Sequence, residues 1–131
     1  MNDKVRILIV EDDKLIQAMI EEAVAGGGYS PLLTGSGEEA IGLLRDDKNA
    51  IRAVVTDINL LGRLDGWEVG RAAREIEPTM PIIYMTGTHA EEWSSKGVPN
   101  SVLVIKPFAP AQMVTAISQL LNAFPRGQSR E

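Results

Sequence analysis

Short apolar runs of strand length alternate along the chain with stretches whose apolar residues recur at helical spacing. Val5–Val10, Ala53–Thr56, Ile82–Met85 and Val102–Ile105 are rich in β-branched residues and leucine, and apolar at nearly every position. Strands of this kind belong to a parallel sheet covered on both faces. Tyr29–Thr34 is a weaker strand with Pro31 inside it, which predicts a sheet edge. Between these runs, Leu15, Ile16, Met19, Ile20, Ala23 and Val24 mark a first helix, stopped by Gly26, Gly27 and Gly28. Ser36 and Glu39 have the spacing of a capping box and open a second helix through Leu44, with polar loop from Asp46 to Asn49. A third helix is predicted from about Gly66 to Ile76 and a short fourth over Ala90–Lys96. Pro110 suits a first helical position, and Met113, Val114, Ile117, Leu120 and Leu121 line one face of a fifth helix.

Repeated strand–helix units with right-handed crossovers give an α/β fold: a doubly wound, five-stranded parallel sheet with helices on both faces. The order 2-1-3-4-5 is taken from the flavodoxin-like folds of this class. With 131 residues the chain is one domain's worth, read as a domain over 1–124 and a disordered tail over 125–131.

Composition narrows the chemistry. There is no cysteine, so disulfides, thiolate metal sites and cysteine nucleophiles are excluded. The formal net charge of -5, without a basic cluster, argues against direct DNA binding. No apolar run has membrane-spanning length and no signal peptide is visible, so a cytoplasmic location is expected.

The chemistry-bearing residues fall at strand ends. Glu11, Asp12 and Asp13 follow the first strand, Asp57 ends the third, Thr86 the fourth and Lys106 the fifth. In an open parallel sheet these carboxyl ends form the ligand crevice. Clustered carboxylates repel, and a hard cation with oxygen ligands, Mg²⁺ above all, relieves the repulsion. A carboxylate can attack phosphorus, while a metal, a lysine and a hydroxyl suit the oxygens of the transferred group. Taken singly each residue has a plainer role: an acidic helix start, a turn, a cap or an ordinary strand end. The pattern of all four strand ends together points to phosphoryl chemistry.

Four segments carry a family resemblance over Val5–Phe124: Ile7-Leu8-Ile9-Val10-Glu11-Asp12-Asp13, Val54-Val55-Thr56-Asp57-Ile58-Asn59-Leu60, Pro81-Ile82-Ile83-Tyr84-Met85-Thr86-Gly87 and Val104-Ile105-Lys106-Pro107-Phe108. Together they resemble the receiver domains of bacterial two-component response regulators. The resemblance implies that Asp57 is the phosphoacceptor and that Thr86 and Lys106 hold phosphoryl oxygens. It implies Mg²⁺ (or Mn²⁺) bound by Asp12 directly, Glu11 mainly through water, Asp57 and the carbonyl of Asn59. It also implies a cis Lys106–Pro107 bond and a sensor histidine kinase or histidine phosphotransfer protein as phosphate donor. The expected role is a stand-alone signalling phosphoacceptor with slow self-catalysed phosphorylation and dephosphorylation, not a turnover enzyme, and its output is protein–protein contact.

Three features depart from the family pattern. Leu103 stands where an aromatic switch residue is usual. The loop after Asp57 is one residue longer and lacks its usual proline. The fourth helix is short and is followed by Gly97-Val98-Pro99. Two other readings exist. Gly35-Ser36-Gly37-Glu38-Glu39-Ala40 fits a loose dinucleotide fingerprint, although a helix start explains it as well. A pseudo-receiver that only binds partners would lack the acceptor or the lysine, and both are present. His89 reads as a structural or exposed loop histidine, and Trp67 and Trp93 as packing or surface aromatics.

Overall fold

The computed structural model describes residues 4–123; the predicted tail over 125–131 lies outside them. Five parallel strands, β1 (Arg6–Val10), β2 (Ser30–Thr34), β3 (Ile51–Asp57), β4 (Ile82–Thr86) and β5 (Val102–Ile105), form one sheet in the order β2-β1-β3-β4-β5. The helices are α1 (Lys14–Gly26), α2 (Gly37–Arg45), α3 (Gly66–Ile76), α4 (Trp93–Lys96) and α5 (Pro110–Ala123). Asp47–Asn49 and Ala90–Glu92 form single 3-10 turns, the first where only loop was expected. The fold class, the strand order and the edge position of Pro31 agree with the sequence reading.

Alternation along each strand feeds two cores. Ile7, Ile9, Val55, Ile83 and Met85 pack with Ile20, Val24, Met113 and Ile117 of α1 and α5. Leu8, Val10, Val54, Ile82 and Tyr84 pack on the other face with Ala40, Trp67, Val69 and Ala73 of α2 and α3. The rings of Trp67 and Tyr84 lie 4.8 Å apart at 53°, and the Tyr84 hydroxyl accepts the Val98 N–H at 3.1 Å. A buried tyrosine thus fills the core and satisfies its polar end in the loop before β5.

Two apolar expectations need correction. Leu15, one of the apolar residues whose spacing marks α1, is 83% exposed, whereas Gln17 is buried with Ile20 and Val24. Gln17 donates to the carbonyls of Glu11 (2.9 Å) and Thr34 (3.3 Å), and the Thr34 carbonyl also accepts the Glu11 N–H at 3.0 Å, so the side chain ties together the ends of β1 and β2. β5 is also not fully covered: Ile105 is 51% exposed, because β5 is an edge and α4 is only a four-residue helix beside it. Leu103 is half-buried against the same core cluster as Trp93. The Trp93 indole N–H donates to Ser101 Oγ at 2.9 Å, so this residue anchors the short helix.

Helix starts differ from expectation in detail. Ser36 accepts the Glu39 N–H at 3.1 Å, but the Glu39 carboxylate turns away to the Thr34 hydroxyl, which leaves half a capping box. The complete box lies at α3: Asp65 accepts from Glu68 N at 2.9 Å and Glu68 from Asp65 N at 2.9 Å. This fixes the first turn of α3, where Gly66 packs so tightly on the Asp57 carbonyl that a Cβ would collide with it. The requirement for glycine therefore sits directly behind the acidic crevice.

Candidate functional site

β1, β3, β4 and β5 deliver their last residues to one rim. Glu11, Asp12 and Asp57 each offer a carboxylate oxygen within 4.8 Å of the others. Lys106 reaches in from β5, with Nζ 3.2 Å from Glu11 Oε1 and 3.2 Å from Asp57 Oδ2. The Lys106–Pro107 peptide is cis, as the resemblance implied. Asp13 does not join the cluster: its Oδ1 accepts the N–H groups of Leu15 (2.9 Å) and Ile16 (3.1 Å) and caps α1. Of three consecutive acids, one has the plain helix-start role and two face the crevice.

Each carboxylate is oriented by backbone. Asp57 Oδ1 accepts the Ile58 N–H at 2.8 Å, so Oδ2 is the oxygen that faces Lys106. Glu11 Oε2 accepts the Asp13 N–H at 3.0 Å. Asp12 Oδ2 accepts the Leu61 N–H at 2.9 Å, which ties the long loop after β3 to the acid pair. Asn59 sits exposed at the start of that loop, two positions beyond Asp57. Thr86 is buried at the end of β4, and its hydroxyl oxygen accepts from Thr88 N (3.2 Å) and His89 N (2.9 Å). Its own hydrogen remains available to donate. His89 Nδ1 lies 2.8 Å from Glu92 Oε2, a loop contact in keeping with a structural histidine.

Burial pushes the Glu11 carboxyl above its ordinary range; the Asp13 N–H and Lys106 pull it down, and the charge of Asp57 adds to the rise. Burial pulls the Lys106 ammonium down, but Asp57 and Glu11 outweigh this and hold it above its ordinary value. Across the window from 4.5 up to the raised Glu11 value, the folded chain holds more protons than the unfolded one, so stability falls as pH rises through it. Glu11→Gln is therefore expected to stabilise the metal-free protein at neutral pH. The gain should fade below pH 4.5, where the carboxyl is protonated in both states. Urea unfolding of the two proteins between acid and neutral pH measures this; an unchanged difference across the range contradicts it.

The dinucleotide reading finds no room. Gly37 packs against the side chains of Leu64 and Val69, and the loop after β3 crosses the start of α2 through a bridge between Ser36 and Leu61. A pyrophosphate would need the place that this loop fills.

The whole-chain comparisons agree with this geometry. Residues 7–118 match the response regulator receiver domain. The chain belongs to the response regulator receiver domain family. A response regulator receiver protein from Sinorhizobium medicae is 45% identical, with a TM-score of 0.89 over 92% of this chain and 97% of that one. The receiver domain of sensor histidine kinase PA1611 from Pseudomonas aeruginosa, solved with a magnesium ion coordinated in its active-site cleft, is 26% identical, with a TM-score of 0.75 over 91% of this chain and 96% of that one. The response regulator MprA of Mycolicibacterium vanbaalenii is 32% identical over 120 residues, 90% of this chain and 51% of MprA. The receiver domain thus spans about half the length of the curated relatives it matches. No helix among its described residues is long and apolar enough to cross a membrane.

Gln17 is the residue the sequence reading missed. Its signal was present: 17, 20 and 24 form one helical stripe, so a glutamine among them is buried and must bond to something.

Proposed function

We propose that this receiver domain accepts a phosphoryl group on Asp57 from a phosphohistidine donor, a sensor histidine kinase or a histidine phosphotransfer protein. The convergence of Asp57 Oδ2, Lys106 Nζ and the Glu11–Asp12 pair on one rim carries this reading. Oδ2 attacks phosphorus, the bond from phosphorus to the imidazole nitrogen breaks, and the imidazole leaves with the electron pair. Oδ1, held by the Ile58 N–H, becomes the acyl oxygen. Lys106 and the Thr86 hydroxyl would hold phosphoryl oxygens.

The donor set fits a hard divalent cation: three carboxylates face one basic side chain, and the buried Glu11 carries a raised pKa. Asp12, Asp57, the Asn59 carbonyl and, through water, Glu11 would hold Mg²⁺ or Mn²⁺. Bound there, the cation supplies charge neutralisation for the phosphoryl oxygens.

An open apolar groove of about 370 Å³ lined by Ile16, Met19, Lys106, Pro107 and Phe108 adjoins the rim, with Leu15 exposed on the same helix. A donor helix burying this patch could present its histidine to Asp57. We read the domain as a cytoplasmic, stand-alone signalling phosphoacceptor without direct DNA binding, whose output is protein contact and whose own reactions are slow.

The direct test is a phosphotransfer profile against the histidine kinases and phosphotransfer proteins of the source organism. Rapid, Mg²⁺-dependent labelling by one of them is expected; failure with every phosphohistidine donor overturns the proposal. Lys106→Ala should blunt the conformational response to phosphorylation more than it slows labelling, since the metal carries much of the charge stabilisation. NMR shifts on adding beryllofluoride, set against labelling rates, decide the ranking.

A further inference from the structure

The loop between β3 and α3 is held from outside the crevice by a residue of α2. The Glu38 carboxylate accepts the Arg63 N–H at 2.9 Å. Gly62, at φ +99°, lies so close that a Cβ on it would stand 2.9 Å from the same carboxylate. One step back along the loop, Leu61 is bridged to Ser36 and donates its N–H to Asp12 Oδ2 at 2.9 Å. Leu61 thus touches both the start of α2 and a carboxylate of the acid cluster, and the next two residues, Gly62 and Arg63, both meet Glu38. The Arg63 N–H holds Glu38 below the ordinary carboxylate range, so at neutral pH it is a charged acceptor.

From this we infer that Glu38 is a positioning residue for the cation site: it latches the loop whose Leu61 N–H orients Asp12 and whose start carries Asn59. The inference rests on the proposed metal-dependent phosphoacceptor reading. Its physical content is preorganisation. A loop already closed on Asp12 does not have to be ordered when the cation binds, and one Asp12 oxygen is kept turned toward the rim. Without the latch the cation must order the loop itself, and its apparent affinity falls. Glu38 touches neither cation nor phosphoryl group, so at saturating Mg²⁺ the labelling rate should be unaffected.

The test is Mg²⁺ titration of wild type, Glu38→Ala, Glu38→Gln and Gly62→Ala, followed by amide NMR, with labelling by acetyl phosphate measured across the same Mg²⁺ range. Glu38→Ala should weaken Mg²⁺ by roughly 3- to 10-fold, less than the ~10–100-fold typical of a group bonded directly to a metal ligand. Amide exchange at Leu61 and Arg63 should quicken, and the maximal labelling rate should stay within about twofold of wild type. Glu38→Gln keeps an acceptor but no charge and should recover most of the affinity. Gly62→Ala keeps the charge but crowds the latch and should resemble Glu38→Ala. Equal weakening in Glu38→Ala and Glu38→Gln, with Gly62→Ala normal, would reduce Glu38 to a distant charge and overturn the inference. So would unchanged Mg²⁺ affinity in Glu38→Ala. If wild type itself bound no Mg²⁺, the metal-dependent reading would fail instead.

Discussion

Asp57→Asn is expected to abolish phosphoryl incorporation while leaving the fold intact. The amide can still accept the Ile58 N–H that Asp57 Oδ1 accepts at 2.8 Å, so the end of β3 keeps its shape. What disappears is the anionic Oδ2 beside Lys106, the atom that would bond to phosphorus. An amide oxygen is a poor nucleophile, and no neighbouring carboxylate has the same access: Glu11 is 1% exposed and Asp12 is engaged by the loop. Labelling should drop to background with both acetyl phosphate and a phosphohistidine donor. Retention of more than a few per cent of wild-type labelling would move the acceptor elsewhere.

Asp12→Ala should separate the metal from the fold. Asp12 is at the surface of the crevice and contributes no apolar packing, so the cores on either side of the sheet do not depend on it. Its loss removes a proposed direct cation ligand and also frees the Leu61 N–H that it holds. Since loss of an outer-shell partner alone costs ~10–100-fold in metal affinity, loss of a ligand should weaken Mg²⁺ by about 100-fold or more. Labelling at millimolar Mg²⁺ should fall with it and recover partly as Mg²⁺ is raised. Mg²⁺ titration followed by NMR measures the shift. Wild-type affinity in this variant would place the cation away from the Glu11–Asp12 pair.

Strand ends were the most legible part of the molecule. Apolar runs bounded by a charged or hydroxyl residue locate both the sheet and its functional rim, because a parallel sheet gathers the carboxyl ends of its strands. Features that depend on crossings between distant segments were not legible. Nothing in Leu60–Asp65 announces that Leu61 will meet Asp12 and Arg63 will meet Glu38, for both are backbone donors. The exposure of Leu15 and Ile105 also escaped periodicity: an apolar residue in a first turn or on an edge strand has the spacing of a buried one without a neighbour to bury it. The half-made box at Ser36 and the complete one at Asp65 show the same limit. Glu39 had a competing partner in Thr34 that only the fold brings near.

The most direct measurement locates the phosphoryl group chemically. After phosphorylation in Mg²⁺, an aspartyl phosphate is reduced by borohydride to homoserine, and peptide mass spectrometry identifies the modified residue. The account predicts homoserine at Asp57 alone, absent when Mg²⁺ is chelated. Homoserine at another aspartate, the corresponding 5-hydroxy residue at a glutamate such as Glu11, phosphate retained on His89, or equal modification without a divalent cation would contradict it.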